Sequence, residues 1–279
     1  MKRTILALSM IVLVAIVFGC SKNNPLAPTA STDSDYHQMY VRPDFIDDRP
    51  EEVKAAHTLV TCDQVELDKN TPKGAKYALC IGISDYDGTA NDLRYCDDDA
   101  RDWAQRLQSE GYTVTTITDR SATKSAIESA INTLASRSIA GNEIAFCYSG
   151  HGYKGNMITT DMYYLSYTWM KTKFAAATSV KMAFAFDACQ IGAFGSALKA
   201  NGRVIALASS SNTYSYDGDA SMANGVFTYY QMKAFDQLGY IYYEPDCQYA
   251  CDQMKIWAAA RKLRVAPSYV DAYTGSLDL

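Results

Sequence analysis

The chain has 279 residues, 48% of them hydrophobic, enough to bury one large α/β core, with two small domains as the alternative. The formal net charge is −5 and no basic cluster stands out, which argues against nucleic acid as a partner. Twenty-one tyrosines suggest an extracytoplasmic surface or a binding face.

Residues 1–19 read as a signal peptide. Lys2 and Arg3 give a basic start, and the apolar run 5–18 is too short to span a bilayer comfortably. Val17-Phe18-Gly19-Cys20 resembles the lipobox of bacterial lipoproteins, whose cysteine is lipidated and becomes the first mature residue. An ordinary signal peptide or short anchor is the alternative. The resemblance implies lipidation of Cys20, membrane attachment through that lipid, and a place in the bacterial cell envelope, at the outer membrane or periplasmic face. Ser21 rather than an acid after the cysteine suits outer-membrane sorting. Residues 20–50 form the lipidated start and a flexible tether of Asn, Pro, Ser, Thr and Ala, and 51–279 the folded domain.

A short helix near 50–58 precedes the first clear strand, 76–84. A turn-rich loop follows, then a helix over 97–110. Acids crowd its first turn, where the helix dipole favours them, and Ala100, Trp103, Ala104 and Leu107 make its apolar stripe. Next come a strand at 112–117, a helix at 122–137 with Ile127, Ile131 and Leu134 on one side, and a strand at 143–148. A hairpin (157–159 with 162–165) and a helix at 169–177 lead to a buried strand at 180–186, which stops at Asp187. A fifth strand at 203–208, helices at 225–238 and 246–263, and a last edge strand or hairpin at 269–278 complete the chain. Strands alternating with helices predict right-handed crossovers, a mostly parallel sheet, and helices on both faces.

Of the eight cysteines, Cys80 and Cys147 lie in apolar strand runs and read as buried small hydrophobes. Cys62, Cys96, Cys247 and Cys251 are available to pair in an oxidising compartment, with connectivity unreadable. Cys189 follows the end of a buried strand, where parallel sheets present reactive groups. Of the three histidines, His37 and His57 read as solvated surface, while His151 follows another buried strand with a glycine on each side.

Tyr148-Ser149-Gly150-His151-Gly152 and Asp187-Ala188-Cys189-Gln190-Ile191-Gly192 resemble the two signature segments of the caspase-like cysteine peptidases. Leu93-Arg94-Tyr95-Cys96-Asp97-Asp98-Asp99-Ala100 resembles a metacaspase segment, with Tyr95 and Asp98 departing from it. Ala208-Ser209-Ser210 and Gly225-Val226-Phe227-Thr228-Tyr229-Tyr230 are similar to later family segments, so the likeness runs from about residue 76 to the C-terminus. The resemblance implies a caspase-like three-layer α/β/α sandwich with a mostly parallel six-stranded sheet. It also implies a cysteine endopeptidase acting on peptide or protein substrates. Cys189 would be the nucleophile and His151 its proton partner, with backbone N–H groups of Gly152 and Cys189 as the oxyanion hole. Asp99 and Asp187 would make an acidic pocket for Arg or Lys, walled by Ser209 and Ser210. For Asp99 the alternative is a helix-start acid, and for the serines a turn-forming role. No cofactor is expected to be required. Calcium stays open as an activator, with Asp161, Asp217 and Asp219 as oxygen donors, although no loop has a recognisable calcium spacing and no metal site is expected. The short linker between the fourth and fifth strands argues against splitting into two subunits, although Lys199 or Arg203 remain candidates for self-cleavage. The second reading is a catalytically idle caspase-like module that binds a partner at the cell surface. A serine-type α/β-hydrolase fails for want of a Gly-x-Ser-x-Gly elbow. The sequence leaves the oligomeric state open.

Overall fold

The computed structural model describes residues 74–279. The expected signal peptide, tether and helix near 50–58, with Cys20, His37, His57 and Cys62, fall outside the described residues. Five apolar runs form parallel strands: β1 (Lys76–Gly82), β2 (Thr113–Thr118), β3 (Glu143–Ser149), β7 (Met182–Asp187) and β8 (Arg203–Leu207). A short edge strand, β9 (Ser268–Asp271), pairs antiparallel with β8, giving a six-stranded sheet of order β2-β1-β3-β7-β8-β9. A second sheet, β4 (Gly152–Tyr153), β5 (Asn156–Ile158) and β6 (Tyr164–Ser166), grows directly out of the end of β3.

Side-chain size alternates along the central strands and decides what each face carries. Leu79 and Ile81, Phe146 and Tyr148, and Phe184 and Phe186 point to one face. There they meet α2 (Lys124–Arg137), α3 (Tyr167–Lys173) and α4 (Ala193–Leu198). Each buried Phe is worth roughly 1.5–3 kcal/mol over exposure. The opposite face presents Ala78, Cys80, Ala145, Cys147, Ala183 and Ala185. These small side chains let α1 (Cys96–Ser109), α5 (Val226–Asp236) and α6 (Tyr243–Ala260) lie close to the backbone. At Gly82 a Cβ would fall 2.0 Å from the Cys96 carbonyl, so α1 starts where only glycine admits it. The result is the expected three-layer α/β/α sandwich.

Several boundaries differ from expectation. Val180 is exposed, and the strand begins at Met182. α3 starts earlier, at Tyr167, because the Ser166 hydroxyl caps Trp169 N. α6 starts at Tyr243, whose ring is buried. Helix α4 and strand β4 were not anticipated. Cys96, Cys247 and Cys251 are free and buried, so they do not pair with one another. Each sits on an inward helix face and behaves as a small hydrophobe. Among the described residues no helix is long and apolar enough to cross a membrane.

Candidate active site

Strands β3 and β7 are bonded neighbours with Ser149 opposite Asp187. The ladder continues one step further, Gly150 N donating to Asp187 O at 3.2 Å. His151 and Cys189 each stand two residues beyond that pair, so the parallel register delivers both to the carboxyl edge of the sheet. Both are nearly buried, at 5% and 1% exposure. Gly152 packs on the Cys189 backbone, where a Cβ would lie 2.2 Å from its carbonyl oxygen and 3.1 Å from its nitrogen.

The histidine is held from several sides. Its Nε2 lies 2.6 Å from the Asn91 carbonyl oxygen. A carbonyl only accepts, so Nε2 carries the proton and the neutral ring's basic nitrogen is Nδ1. His151 N donates to the Tyr86 hydroxyl at 2.7 Å, and the two rings sit 4.7 Å apart. The Tyr148 hydroxyl reaches His151 O at 2.7 Å and Ile158 O at 2.9 Å. Gly150 is required where these two phenols converge, because a Cβ there would come within 2.7 Å of Tyr86 Oη and 2.8 Å of Tyr148 Oη.

Cys189 is disulfide-bonded. Its Sγ is 3.6 Å from Ser215 O. The next residue, Gln190, has φ 53°, uncommon for a non-glycine. It is pinned there because Gln190 N donates to Thr213 O at 2.9 Å and its carbonyl accepts from Gly155 N at 2.9 Å.

Beside these residues is a narrow pocket, a cavity of about 10 Å³, lined by Asp187, Asp217, Ser149, Ser215, Cys96 and Gly225, among others. Asp187 accepts from Ser215 Oγ, and from Thr228 N and Oγ1, both at 3.0 Å. Asp99 lies behind Gly225 and accepts from Gly225 N at 2.9 Å and Ser149 Oγ at 2.6 Å. Burial, then the charge of Asp187, pushes the Asp99 carboxyl well up. Asp187 is also pushed up by burial, against the pull of its Ser215 and Thr228 hydrogen bonds. Asp217 is pushed up to about 7, chiefly by burial.

The structure therefore brings Asp99 and Asp187 together. Ser209 and Ser210 serve the neighbouring loop instead: Ser209 Oγ donates to Ala188 O at 2.7 Å, and Ser210 Oγ is 3.0 Å from Thr213 Oγ1. The serines of the pocket lining are Ser149 and Ser215. The three acids considered for calcium have separate work. Asp161 accepts from Lys124 N, Asp219 from Ser221, and Asp217 from Arg94 N. Among the described residues no group of three or more His, Cys, Asp or Glu is placed to hold a metal ion. Sequence reasoning missed Tyr86, Asn91, Ser215 and Asp217. Of these, Asp217 carries a signal, the acidic turn Tyr216-Asp217-Gly218-Asp219, which the sequence offers only as a calcium donor.

A family model described as Caspase domain matches residues 75–243. The chain belongs to the caspase-domain family. Members of that family typically act as cysteine proteases. A search of curated proteins finds no match. Among solved structures, the crystal structure of protein GSU0716 from Geobacter sulfurreducens is similar to this caspase-domain chain, with a TM-score of 0.56 and 18% identity. The match covers 74% of this chain and 97% of that one. At that identity the likeness speaks for the fold alone.

Proposed function

We propose that the chain is a cysteine endopeptidase that cleaves after arginine or lysine. The observation that carries this reading is the matched delivery of Cys189 and His151, two residues past the paired Ser149 and Asp187, beside a carboxylate-lined pocket. Once reduced, the Cys189 thiol loses its proton to His151 and the thiolate adds to the substrate carbonyl carbon. The oxyanion is received by the N–H groups of Gly152 and Cys189. For Gly152 the support is topological. Ile158 N donates to His151 O at 3.1 Å, which makes Gly152 and Met157 a non-hydrogen-bonded pair and leaves the glycine N–H outside that ladder. Collapse of the adduct expels the amine, which takes the proton from His151. Water, deprotonated by His151, then hydrolyses the thioester and regenerates the thiol. The Asn91 carbonyl keeps the imidazole in the tautomer this sequence of steps needs.

The pocket acids favour a cationic side chain and disfavour an acidic one. The lipobox-like segment supports an envelope location, with Cys20 lipidated and the peptidase tethered to a bacterial membrane surface. Hydrolysis of fluorogenic peptides with Arg, Lys or Asp at the cleaved position, under reducing conditions and with or without calcium, tests the reading. Cys189→Ala and His151→Ala are each expected to lower kcat/KM by at least about 10³-fold without unfolding the protein. No turnover of any peptide by folded, reduced wild type would favour the binding module. A preference for Asp would overturn the pocket assignment alone.

A further inference from the structure

The two acids read from the sequence are the ones whose hydrogen-bonding capacity is most used. Asp187 accepts from Ser215 Oγ and twice from Thr228, and Asp99 is fully buried and accepts from Ser149 and Gly225. Asp217 differs. It lines the same pocket, is only half-buried, and accepts one long bond, 3.3 Å from Arg94 N. It also stands on a braced turn. Asp217 bridges Gly225, Val226 N donates to Tyr216 O at 2.9 Å, Gly218 N donates to Asn224 O at 2.8 Å, and the Tyr216 ring packs on Trp257.

We propose that Asp217 is the specificity-determining carboxylate of this pocket, the group that receives the cationic head of a substrate arginine or lysine. Asp99 holds Gly225 in place and Asp187 holds the first turn of α5 through Thr228. The proposal rests on the peptidase reading for its substrate, and its geometry stands apart from that reading. Asp217 faces Arg94 just before α1, Cys96 and Asp97 on α1, and Asp187 at the end of β7. Asp219, on its own turn, is exposed and engaged with Ser221 and Arg261. Arg94 meets Asp217 through its backbone N–H and adds a positive charge nearby. Burial and the Asp187 charge hold the Asp217 carboxyl near neutrality, so the pocket strengthens its grip on a cation as pH rises from 6 to 8.

Binding of agmatine to full-length Cys189→Ala, followed by calorimetry at pH 6 and pH 8, reads the pocket without catalysis. We expect tighter binding at pH 8. Adding Asp217→Asn should weaken binding by about 10–100-fold and abolish the pH dependence, whereas Asp217→Glu should retain both. In otherwise wild-type protein, Asp217→Asn should lower kcat/KM on Arg and Lys peptides by a similar factor, mainly through KM. Agmatine binding with the same affinity and pH response in Asp217→Asn overturns the proposal. If wild type cleaves nothing but agmatine binding still depends on Asp217, the peptidase reading falls and the assignment of Asp217 survives.

Discussion

The pocket acids should make the protein less stable at the pH where the pocket is charged, and Asp217 allows a quantitative test. Its carboxyl is pushed from the ordinary 3.8 up to about 7. A raised acid pKa means that the folded state holds its proton more tightly than the unfolded state. That contribution is complete below about pH 4 and is lost as pH rises through 7. Linkage between these two values gives a loss of about 2.5 kcal/mol between pH 5 and pH 8, and somewhat less because the group keeps solvent contact. Asp217→Asn removes the titration at nearly constant shape. Urea unfolding of both proteins should therefore show the variant gaining on wild type by about 2 kcal/mol over that interval. A stability difference that stays flat between pH 5 and pH 8 would refute the reasoning, because it would mean that the carboxyl titrates alike in folded and unfolded chains.

Gly225→Ala would place a methyl 2.5 Å from Asp187 Oδ2 and 2.8 Å from Asp99 Oδ2. Overpacking of this kind costs about 1–3 kcal/mol, and KM for Arg and Lys peptides should rise with it, as urea unfolding and steady-state kinetics can check. Tyr148→Phe removes the hydroxyl that meets His151 O, Ile158 O and Ile158 N, and should cost about 1–3 kcal/mol in urea unfolding. Because Cys189 is disulfide-bonded, iodoacetamide should label it only after treatment with a dithiol, and peptidase activity should appear in the same step. Labelling of Cys189 in untreated protein, located by peptide mass mapping, would contradict this.

What could be read in advance followed from periodicity. The apolar runs of β1, β3 and β7 and the stripe Ala100-Trp103-Ala104-Leu107 are local signals. The strand ends placed His151 and Cys189 on one rim for the same reason. α4 escaped because Ala193–Leu198 is six residues long and carries a glycine, too short and too weak for a helical period. The Asn91 contribution is a backbone carbonyl, which leaves no trace in residue identity. Tyr86 and Asp217 fell in turn-rich stretches, where local composition predicts solvent exposure. Only the tertiary fold turns Tyr86 inward against His151 and Asp217 toward the pocket. Cys96, Cys247 and Cys251, which the sequence left available to pair, are free thiols because each fits an inward helix face of this core.

The pairing of β7 with β8 has a consequence for processing. The strands are joined by residues 188–202 and share a register running from Met182 opposite Arg203 to Phe186 opposite Leu207. Lys199 is exposed on that connection, whereas Arg203 is buried with its guanidinium on the carbonyls of Leu198 and Phe174, sealed from any protease. A nick after Lys199 would therefore leave both fragments zipped into one sheet. It would show as two bands on a denaturing gel and as one unchanged particle in gel filtration.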